Sequence, residues 1–105
     1  MKKYEIVKKH DDFDNIIHNG KYIKSKNFII YNKDSEYNYP RFGLAVGKKI
    51  GNAVMRNKMK RYLRIIIDKN KNLFKNNKDY IIIIKKSSTE CSLVELEDEL
   101  IKLYK

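Results

Sequence analysis

The chain is organised around one stretch, residues 46–64, which reads Val46-Gly47-Lys48-Lys49-Ile50-Gly51-Asn52-Ala53-Val54-Met55-Arg56-Asn57-Lys58-Met59-Lys60-Arg61-Tyr62-Leu63-Arg64. It begins with two lysines in a turn bounded by glycines and continues with the pattern of a helix. Asn52 is a good N-cap for this helix, because its side-chain oxygen can accept a hydrogen bond from a free amide of the first turn. We therefore predict a helix that begins directly after Asn52.

The predicted helix has an apolar side and a cationic side when its residues are placed at about 100° each. The apolar stripe consists of Met55, Met59, Tyr62, Leu63 and Ile66. The opposite side carries Arg56, Asn57, Lys60, Arg61 and Arg64, and Lys58 lies away from both groups. Like charges four residues apart repel by a few tenths of a kcal/mol per pair. No Asp or Glu lies between Tyr37 and Ile67 to offset the eight Lys and Arg residues there, so this side is predicted to bind an anion.

Arginine usage supports the same prediction. Of 24 basic residues only four are Arg, and three of those four lie in the predicted helix. The chain is also rich in Ile, Asn and Tyr, which suggests an A/T-rich coding bias that replaces arginine by lysine. Arginine kept against this bias indicates a need for planar, bidentate contacts with phosphates or guanine edges. The alternative is a solvated basic face, which would be favoured for an ordinary lysine-rich helix.

Residues 48–64 resemble the signature of the protein subunit of bacterial ribonuclease P, in which Lys-Lys-x-Gly-x-Ala-x-x-Arg-Asn-Arg-x-Lys-Arg precedes a further arginine. The resemblance extends through the flanking segments over nearly the whole chain. It implies an accessory subunit of an endoribonuclease whose catalytic RNA subunit removes the 5′ leader from precursor tRNA. It also implies that the RNA subunit is bound by Lys48, Lys49, Arg56, Asn57, Lys60, Arg61 and Arg64. Lys58 stands where the family usually has arginine, which preserves the charge.

A second candidate surface lies between the first helix and the sheet. Phe13, Ile17 and Tyr31 could line a groove in which aromatic faces stack on single-stranded bases. From the residues alone, packing of these side chains in the core is the favoured alternative. The resemblance implies that this cleft binds the 5′ leader of precursor tRNA, since Phe13 and Tyr31 match aromatic positions of the family. Ile17 stands where an aromatic residue is common, so we expect weaker stacking there.

The remaining elements follow from hydrophobic periodicity and capping signals. A short helix is predicted from an Asp11 or Asp12 cap to Gly20, and strands are predicted at residues 27–32, 41–46 and 80–84. In the second strand Gly43 predicts a close approach by a helix or ligand. A last helix spans residues 92–104, with a Ser92–Glu95 capping box. Its outer face is predicted to be solvated and to keep RNA away, through the acidic residues Glu95, Glu97, Asp98 and Glu99.

These elements predict an α+β fold, a two-layer sandwich of order α-β-β-α-β-α with a mixed sheet. The second strand, the basic helix and the third strand should form a β-α-β crossover. General rules make such a crossover right-handed. The resemblance implies the rarer left-handed form found in ribosomal-protein-like folds, and our prediction follows the resemblance.

Length and composition narrow the functional classes. At 105 residues and 12.6 kDa the chain is predicted to be a single domain, residues 1–105, with a loose basic arm at residues 1–9. A net charge of +11 and a pI near 9.7 favour a polyanionic partner. The chain contains no apolar run long enough to span a membrane and no signal peptide, so we expect a cytoplasmic protein. The single cysteine, Cys91, excludes an internal disulfide.

The sequence contains no set of residues typical of an independent active site or an intrinsic metal site. His10 and His18 have no cysteine or carboxylate partners at metal-ligand spacing. The resemblance implies Mg²⁺ bound mainly by the RNA subunit, precursor tRNA as substrate, and no obligate protein partner. Two other classes remain: a small ribosomal or rRNA-binding protein, which would copurify with ribosomal subunits, and a stand-alone ribonuclease, which would cleave without an RNA subunit.

Overall fold

Three helices and four strands follow one another in residues 1–104, the part of the chain that the computed structural model describes. They are α1 (His10–Asn19), β1 (Lys21–Lys24), β2 (Phe28–Asp34), β3 (Arg41–Ala45), α2 (Ala53–Lys69), β4 (Lys78–Ile84) and α3 (Leu93–Tyr104). The predicted succession of helices and strands is confirmed, with β1 as an additional strand. None of the described helices is long and apolar enough to cross a membrane.

The four strands form one mixed sheet in the order β1-β2-β4-β3. β2 is antiparallel to both of its neighbours, whereas β3 and β4 are parallel and are joined through α2. This confirms the predicted mixed sheet and the β-α-β connection. β1 was missed because it has four residues of which Ile23 alone is half-buried, so its sequence carries little periodic signal.

The two faces of the sheet bury different sets of side chains. Phe28 and Ile30 of β2 belong to the main core, together with Met59 and Leu63 of α2 and Leu96 of α3. On the opposite face, a smaller cluster joins β4 to α1, through Val7, Ile16 and Ile81 with Phe13, Ile17, Tyr31 and Ile83 around them. Strand β4 is therefore covered on both faces, as its uninterrupted apolar sequence predicted.

The start of α1 differs from the prediction, whereas its end agrees with it. The helix begins at His10 after Lys9, whose side chain makes no capping bond, so the predicted Asp11 or Asp12 cap is wrong. Both carboxylates lie in the first turn, where the helix dipole favours them. Gly20 ends the helix as predicted, and a Cβ there would lie 2.4 Å from the Ile16 carbonyl oxygen. The close approach of backbone accounts for glycine at this position.

The amino-terminal segment, predicted as a loose arm, packs against the sheet at residues 5–7. The Val7 side chain is 2% exposed, and its N–H donates to the Phe42 carbonyl at 2.9 Å. Glu5 is buried and accepts a hydrogen bond from Lys71 Nζ at 2.7 Å. Burial opposes ionisation of Glu5, but its hydrogen bonds to Lys71 and to the Lys2 N–H outweigh this and lower its pKa. An apolar residue and a buried ion pair thus anchor a segment whose sequence has no regular pattern.

The acidic side of α3 is only partly solvated. Ser92 and Glu95 form the predicted capping box, with the Ser92 N–H donating to Glu95 at 2.9 Å. Glu97, however, accepts from Asn70 Nδ2 at 2.8 Å, and Glu99 accepts from the Asn27 N–H at 2.8 Å. The predicted solvated face is therefore wrong for Glu97 and Glu99, which join α3 to neighbouring elements.

Candidate nucleic-acid interface

The turn before α2 directs two lysines outward. Gly51 has a φ of 148°, a conformation that side chains disfavour, and it separates a short 3-10 turn, Lys48–Ile50, from the helix. Ile50 is buried and anchors that turn, while Lys48 and Lys49 are exposed. Asn52 then caps α2, because its side-chain oxygen accepts from the Met55 N–H at 3.0 Å. The predicted cap is confirmed.

One side of α2 packs and the other faces solvent, as the periodicity predicted. Met59, Leu63 and Ile66 are buried in the main core, and Met55 and Tyr62 flank them half-buried. On the other side Asn57, Arg61 and Arg64 are exposed, and Arg56 and Lys60 are half-buried. We define the basic face as these side chains and the adjoining turn, namely Lys48, Lys49, Arg56, Asn57, Lys60, Arg61 and Arg64.

The cations of the basic face form no ion pair with a carboxylate of residues 1–104. The fourth arginine of the chain is different. Arg41 donates to both carboxylate oxygens of Asp79, at 2.8 Å and 2.6 Å. The bond to Asp79 raises the pKa of Arg41, and its guanidinium lies 4.4 Å from the ring centroid of Tyr37. The cations of the basic face thus have no carboxylate partner within residues 1–104, whereas the charge of Arg41 is paired inside the fold.

The second predicted surface is assembled around α1. Phe13, Ile17 and Tyr31 are half-buried and lie against the cluster that contains Ile81. A Cβ on Gly43 would lie 2.5 Å from Cζ of Phe13, so the missing side chain leaves the space that this ring occupies. The predicted close approach at Gly43 is confirmed, and the approaching group is the aromatic ring.

Strand register defines a groove beside α1. Residues that pair across the sheet share a face, so the rows of side chains can be read across the strands. The row next to α1 consists of Tyr22, Tyr31, Ile81 and Gly43, and the adjacent row consists of Lys24, Ile29, Ile83 and Ala45. Ile29, Ile83 and Ala45 are half-buried. We define the α1 groove as these three floor residues with Phe13, Ile17 and Tyr31.

The basic face and the side chains of α1 meet at the β3 edge of the sheet. A cavity of about 240 Å³ lies there, lined by Met1, Ile6, Val7, Phe13, Phe42, Leu44, Lys60 and Arg64. Lys60 and Arg64 therefore flank Phe13 as well as the exposed side of α2. The sequence places these two residues on the basic side of α2, but only the fold shows that α1 lies beside them.

The histidines lie outside both surfaces. His10 is exposed and its Nε2 lies 3.3 Å from Asp14, and His18 Nδ1 lies 2.7 Å from the Asp14 carbonyl oxygen. Within residues 1–104 no group of three or more His, Cys, Asp or Glu side chains is arranged to hold a metal ion. The basic face thus offers cationic contacts, and the α1 groove offers aromatic and apolar contacts.

Comparison with known protein sequences identifies relatives that share one name. A family model described as Ribonuclease P matches residues 1–105. A protein of Mycoplasma capricolum named ribonuclease P protein component is 45% identical over 106 residues, which cover 100% of this chain and 97% of the relative. A protein of the same name from Bacillus cereus is 40% identical over 106 residues, with 100% and 92% coverage.

Solved structures agree with the sequence comparison. The RNase P protein from Thermotoga maritima superimposes with a TM-score of 0.87 at 27% identity, covering 95% of this chain and 94% of that one. A Staphylococcus aureus RNase P protein mutant with defective mRNA degradation activity gives a TM-score of 0.89 at 30% identity, with 95% and 85% coverage. The sequence comparison and the fold comparison therefore identify proteins of the same kind from different bacteria.

Proposed function

Since this chain belongs to the ribonuclease P protein family, the protein component of the RNA–protein endoribonuclease that processes the 5′ ends of tRNA, we propose that its two surfaces bind two different RNAs. The basic face binds the catalytic RNA subunit, and the α1 groove binds the 5′ leader of precursor tRNA. The observation that carries this proposal is that the basic face has no carboxylate partner within residues 1–104 and meets the α1 groove at Phe13, beside Lys60 and Arg64.

The basic face suits a folded RNA partner. Its arginines can contact phosphates bidentately, and Asn57 can add hydrogen bonds to sugar or base edges. Its lysines supply point charges that are less specific in direction. Because an RNA releases counterions when such contacts form, binding by this face depends strongly on salt.

Replacing one arginine tests this docking. In Arg61→Ala or Arg56→Ala, binding of the RNA subunit should weaken, and the slope of log affinity against log salt should decrease by roughly one unit per lost phosphate contact. Lys69→Ala is the matched control, because Lys69 lies on the same helix but its Nζ is 3.5 Å from Glu97. An unchanged slope in both arginine variants, or an equal decrease in the Lys69 variant, would count against docking on the basic face.

The α1 groove suits a single strand of nucleic acid. Phe13 and Tyr31 are half-buried, so each ring keeps accessible surface on which a base can stack, and Ile17 adds a weaker apolar contact. In Phe13→Ala or Tyr31→Ala, the reconstituted enzyme should lose roughly 1–3 kcal/mol of affinity for precursor tRNA and none for mature tRNA. Equal losses for both substrates would indicate that these rings serve the core instead.

Hydrolysis belongs to the RNA subunit in this proposal. Mg²⁺, held mainly by that RNA, would supply activation of the attacking water and stabilisation of the leaving oxygen. The chain holds the leader and places cations between two polyanions, which reduces their mutual repulsion. The dense positive charge of the basic face makes it unsuited to bind Mg²⁺ itself.

Processing at low magnesium is the decisive test of the proposed function. The RNA subunit should cleave precursor tRNA much faster with this chain than without it, because the chain replaces part of the cation screening. The chain without RNA should cleave nothing; cleavage by it would support a stand-alone ribonuclease. Copurification with ribosomal subunits, together with no effect on processing, would favour an rRNA-binding protein.

A further inference from the structure

We infer that the α1 groove continues across the sheet onto β1, where Tyr22 stacks on a leader base farther from the cleavage site than the base at Tyr31. This inference rests on the proposed leader binding and extends it to a strand that sequence patterns did not predict. It adds one aromatic residue and one cation, Tyr22 and Lys24, to the binding surface.

Tyr22 is paired with Tyr31 but is far more open. The two residues are partners in the β1–β2 register, and their ring centroids lie 5.5 Å apart with a 44° angle between the planes. Tyr22 is 57% exposed, whereas Tyr31 is half-buried. Tyr22 contacts Tyr31 at the border of the smaller apolar cluster but is not one of the buried or half-buried residues that form either cluster. Its ring therefore continues the aromatic surface of Tyr31 without being needed by the core.

The surroundings of Tyr22 complete a surface for single-stranded RNA. Lys24 follows two residues later on the same face and is exposed, opposite Ile29 of the groove floor. No carboxylate of residues 1–104 forms an ion pair with Lys24. An aromatic face beside an unpaired cation is the combination that binds a base and its phosphate. Tyr22 is the aromatic partner of Tyr31 across the sheet because the two residues are paired in the β1–β2 register. Ile17, the other neighbour in the groove, offers no aromatic face.

The direction of the leader follows from the strand order. The basic face meets the side chains of α1 at β3, where Lys60 and Arg64 lie beside Phe13. β1 is at the opposite edge, three strand spacings away, which corresponds to about 14 Å. The RNA subunit that cleaves the substrate is bound on the β3 side. The leader therefore enters the groove at β3 and reaches Tyr22 last.

A series of leader lengths tests this order. Precursor tRNAs whose leaders are lengthened one nucleotide at a time are bound to the reconstituted enzyme, and dissociation constants are measured. Tyr22→Ala should weaken binding about five- to tenfold, the lower end of the stacking range, only once the leader is long enough to reach β1. Phe13→Ala and Tyr31→Ala should weaken binding from shorter leaders onward.

Three further variants test the ring, its position and the neighbouring charge. Tyr22→Phe keeps the ring, so it should bind every leader within about twofold of the wild type. Tyr4→Ala removes a tyrosine of similar exposure, 52%, that lies outside the β1–β2 pair, and it should have no length-dependent effect. Lys24→Gln should weaken binding of long leaders at low salt and lose that effect at high salt.

The outcomes separate this inference from the proposed function. If Phe13→Ala and Tyr31→Ala weaken binding while Tyr22→Ala does not at any length, the groove ends at β2 and the inference is overturned while leader binding stands. If none of the three variants affects the leader, leader binding itself fails. A Tyr22→Ala loss that is equal for mature tRNA would overturn the inference in favour of a general defect.

Discussion

At the scale of single residues, Gly43 determines where the Phe13 ring lies. Glycine within a strand is destabilising by about 0.5–1 kcal/mol relative to alanine in open positions. Here a Cβ would lie 2.5 Å from Phe13 Cζ and 2.6 Å from Ile81 Cδ1. Both atoms are the ends of side chains, so they can move. The strand would survive the change, but the ring would leave its place beside the cavity.

Gly43→Ala should therefore affect leader binding as well as folding. We expect a loss of about 1–3 kcal/mol in the free energy of unfolding from overpacking, and weaker binding of precursor tRNA relative to mature tRNA. Urea unfolding of the protein and substrate affinities of the reconstituted enzyme measure the two effects. Gly47→Ala is the control, because within residues 1–104 no atom beyond the adjacent residues lies within 4 Å of its Cβ position. Leader affinity equal to the wild type in Gly43→Ala would show that the ring position is unimportant.

Residue type and spacing could identify only part of the candidate site. Phe13 and Tyr31 were identified by their aromatic character and by resemblance, and the basic residues by their helical spacing. Tyr22 could not be identified, because the role proposed for it depends on which residue of β2 it faces. The proximity of Lys60 and Arg64 to Phe13 of α1 likewise could not be identified, because it depends on packing between elements that are distant in sequence.

At the scale of elements, Glu99 of α3 fixes the turn between β1 and β2. It accepts hydrogen bonds from the Ser25 hydroxyl, from the Asn27 N–H at 2.8 Å and from Asn27 Nδ2 at 2.6 Å. Asn27 is 3% exposed, so removal of Glu99 would leave its N–H and Nδ2 donors buried without the carboxylate that accepts their hydrogen bonds. Burial opposes ionisation of Glu99, but the bonds from Ser25 and Asn27 outweigh burial and lower its pKa.

The lowered pKa predicts how Glu99 contributes to stability as the pH changes. The pKa in the folded state lies below the ordinary value of 4.5, so the unfolded state binds the proton more tightly. The stabilisation is therefore complete above pH 4.5 and is lost as the pH falls through the folded pKa. Glu99→Gln should lower the free energy of unfolding by about 1–3 kcal/mol at neutral pH. It should also reduce the loss of stability on acidification.

Urea unfolding at a series of pH values measures this effect. Asp98→Asn is the matched control, because Asp98 is exposed on the same helix and makes no hydrogen bond within residues 1–104 that involves its side chain. It should leave the acid dependence close to that of the wild type. A wild-type acid dependence in Glu99→Gln would mean that Glu99 is not anchored in this way.

Elements with strong local signals could be predicted from the sequence, whereas those ordered by distant partners could not. The Asn52 cap, the stripe of α2 and the Ser92–Glu95 box each involve residues a few positions apart, and all three are confirmed. β1 is ordered by its pairing with β2 and by Glu99, which lies more than 70 positions away from Asn27. Val7 is ordered by Phe42 in the same manner.

At the scale of the whole molecule, the net charge is +11, and the carboxylates pair with cations outside the basic face. The positive charge therefore stays concentrated on the basic face. The lysines and arginines that form ion pairs within residues 1–104 are Arg41, Lys69, Lys71 and Lys78, which lie outside the basic face. The basic face therefore keeps its full charge at the edge where the α1 side chains begin. Two polyanions that bind these neighbouring surfaces would approach each other at Lys60 and Arg64.

This geometry predicts energetic coupling between the two surfaces at one position and independence at another. Arg64 and Phe13 line the same cavity, whereas Arg61 is exposed and is not part of that lining. Residues that share a partner usually deviate from additivity by about 0.5 kcal/mol or more, and separate residues add within about that amount. Phe13→Ala and Arg64→Ala should therefore be non-additive in affinity for precursor tRNA, and Phe13→Ala and Arg61→Ala should be additive.

Double-mutant cycles on the reconstituted enzyme measure this coupling, at protein concentrations that saturate the RNA subunit so that assembly does not limit binding. Mature tRNA is the reference substrate, since it lacks the leader that would connect the two side chains. We expect the Phe13–Arg64 coupling to disappear with mature tRNA, because each residue then acts on a different RNA or on none. Additivity of both pairs with precursor tRNA would mean that the leader does not contact Phe13 and Arg64 together, and that the basic face and the α1 groove work independently.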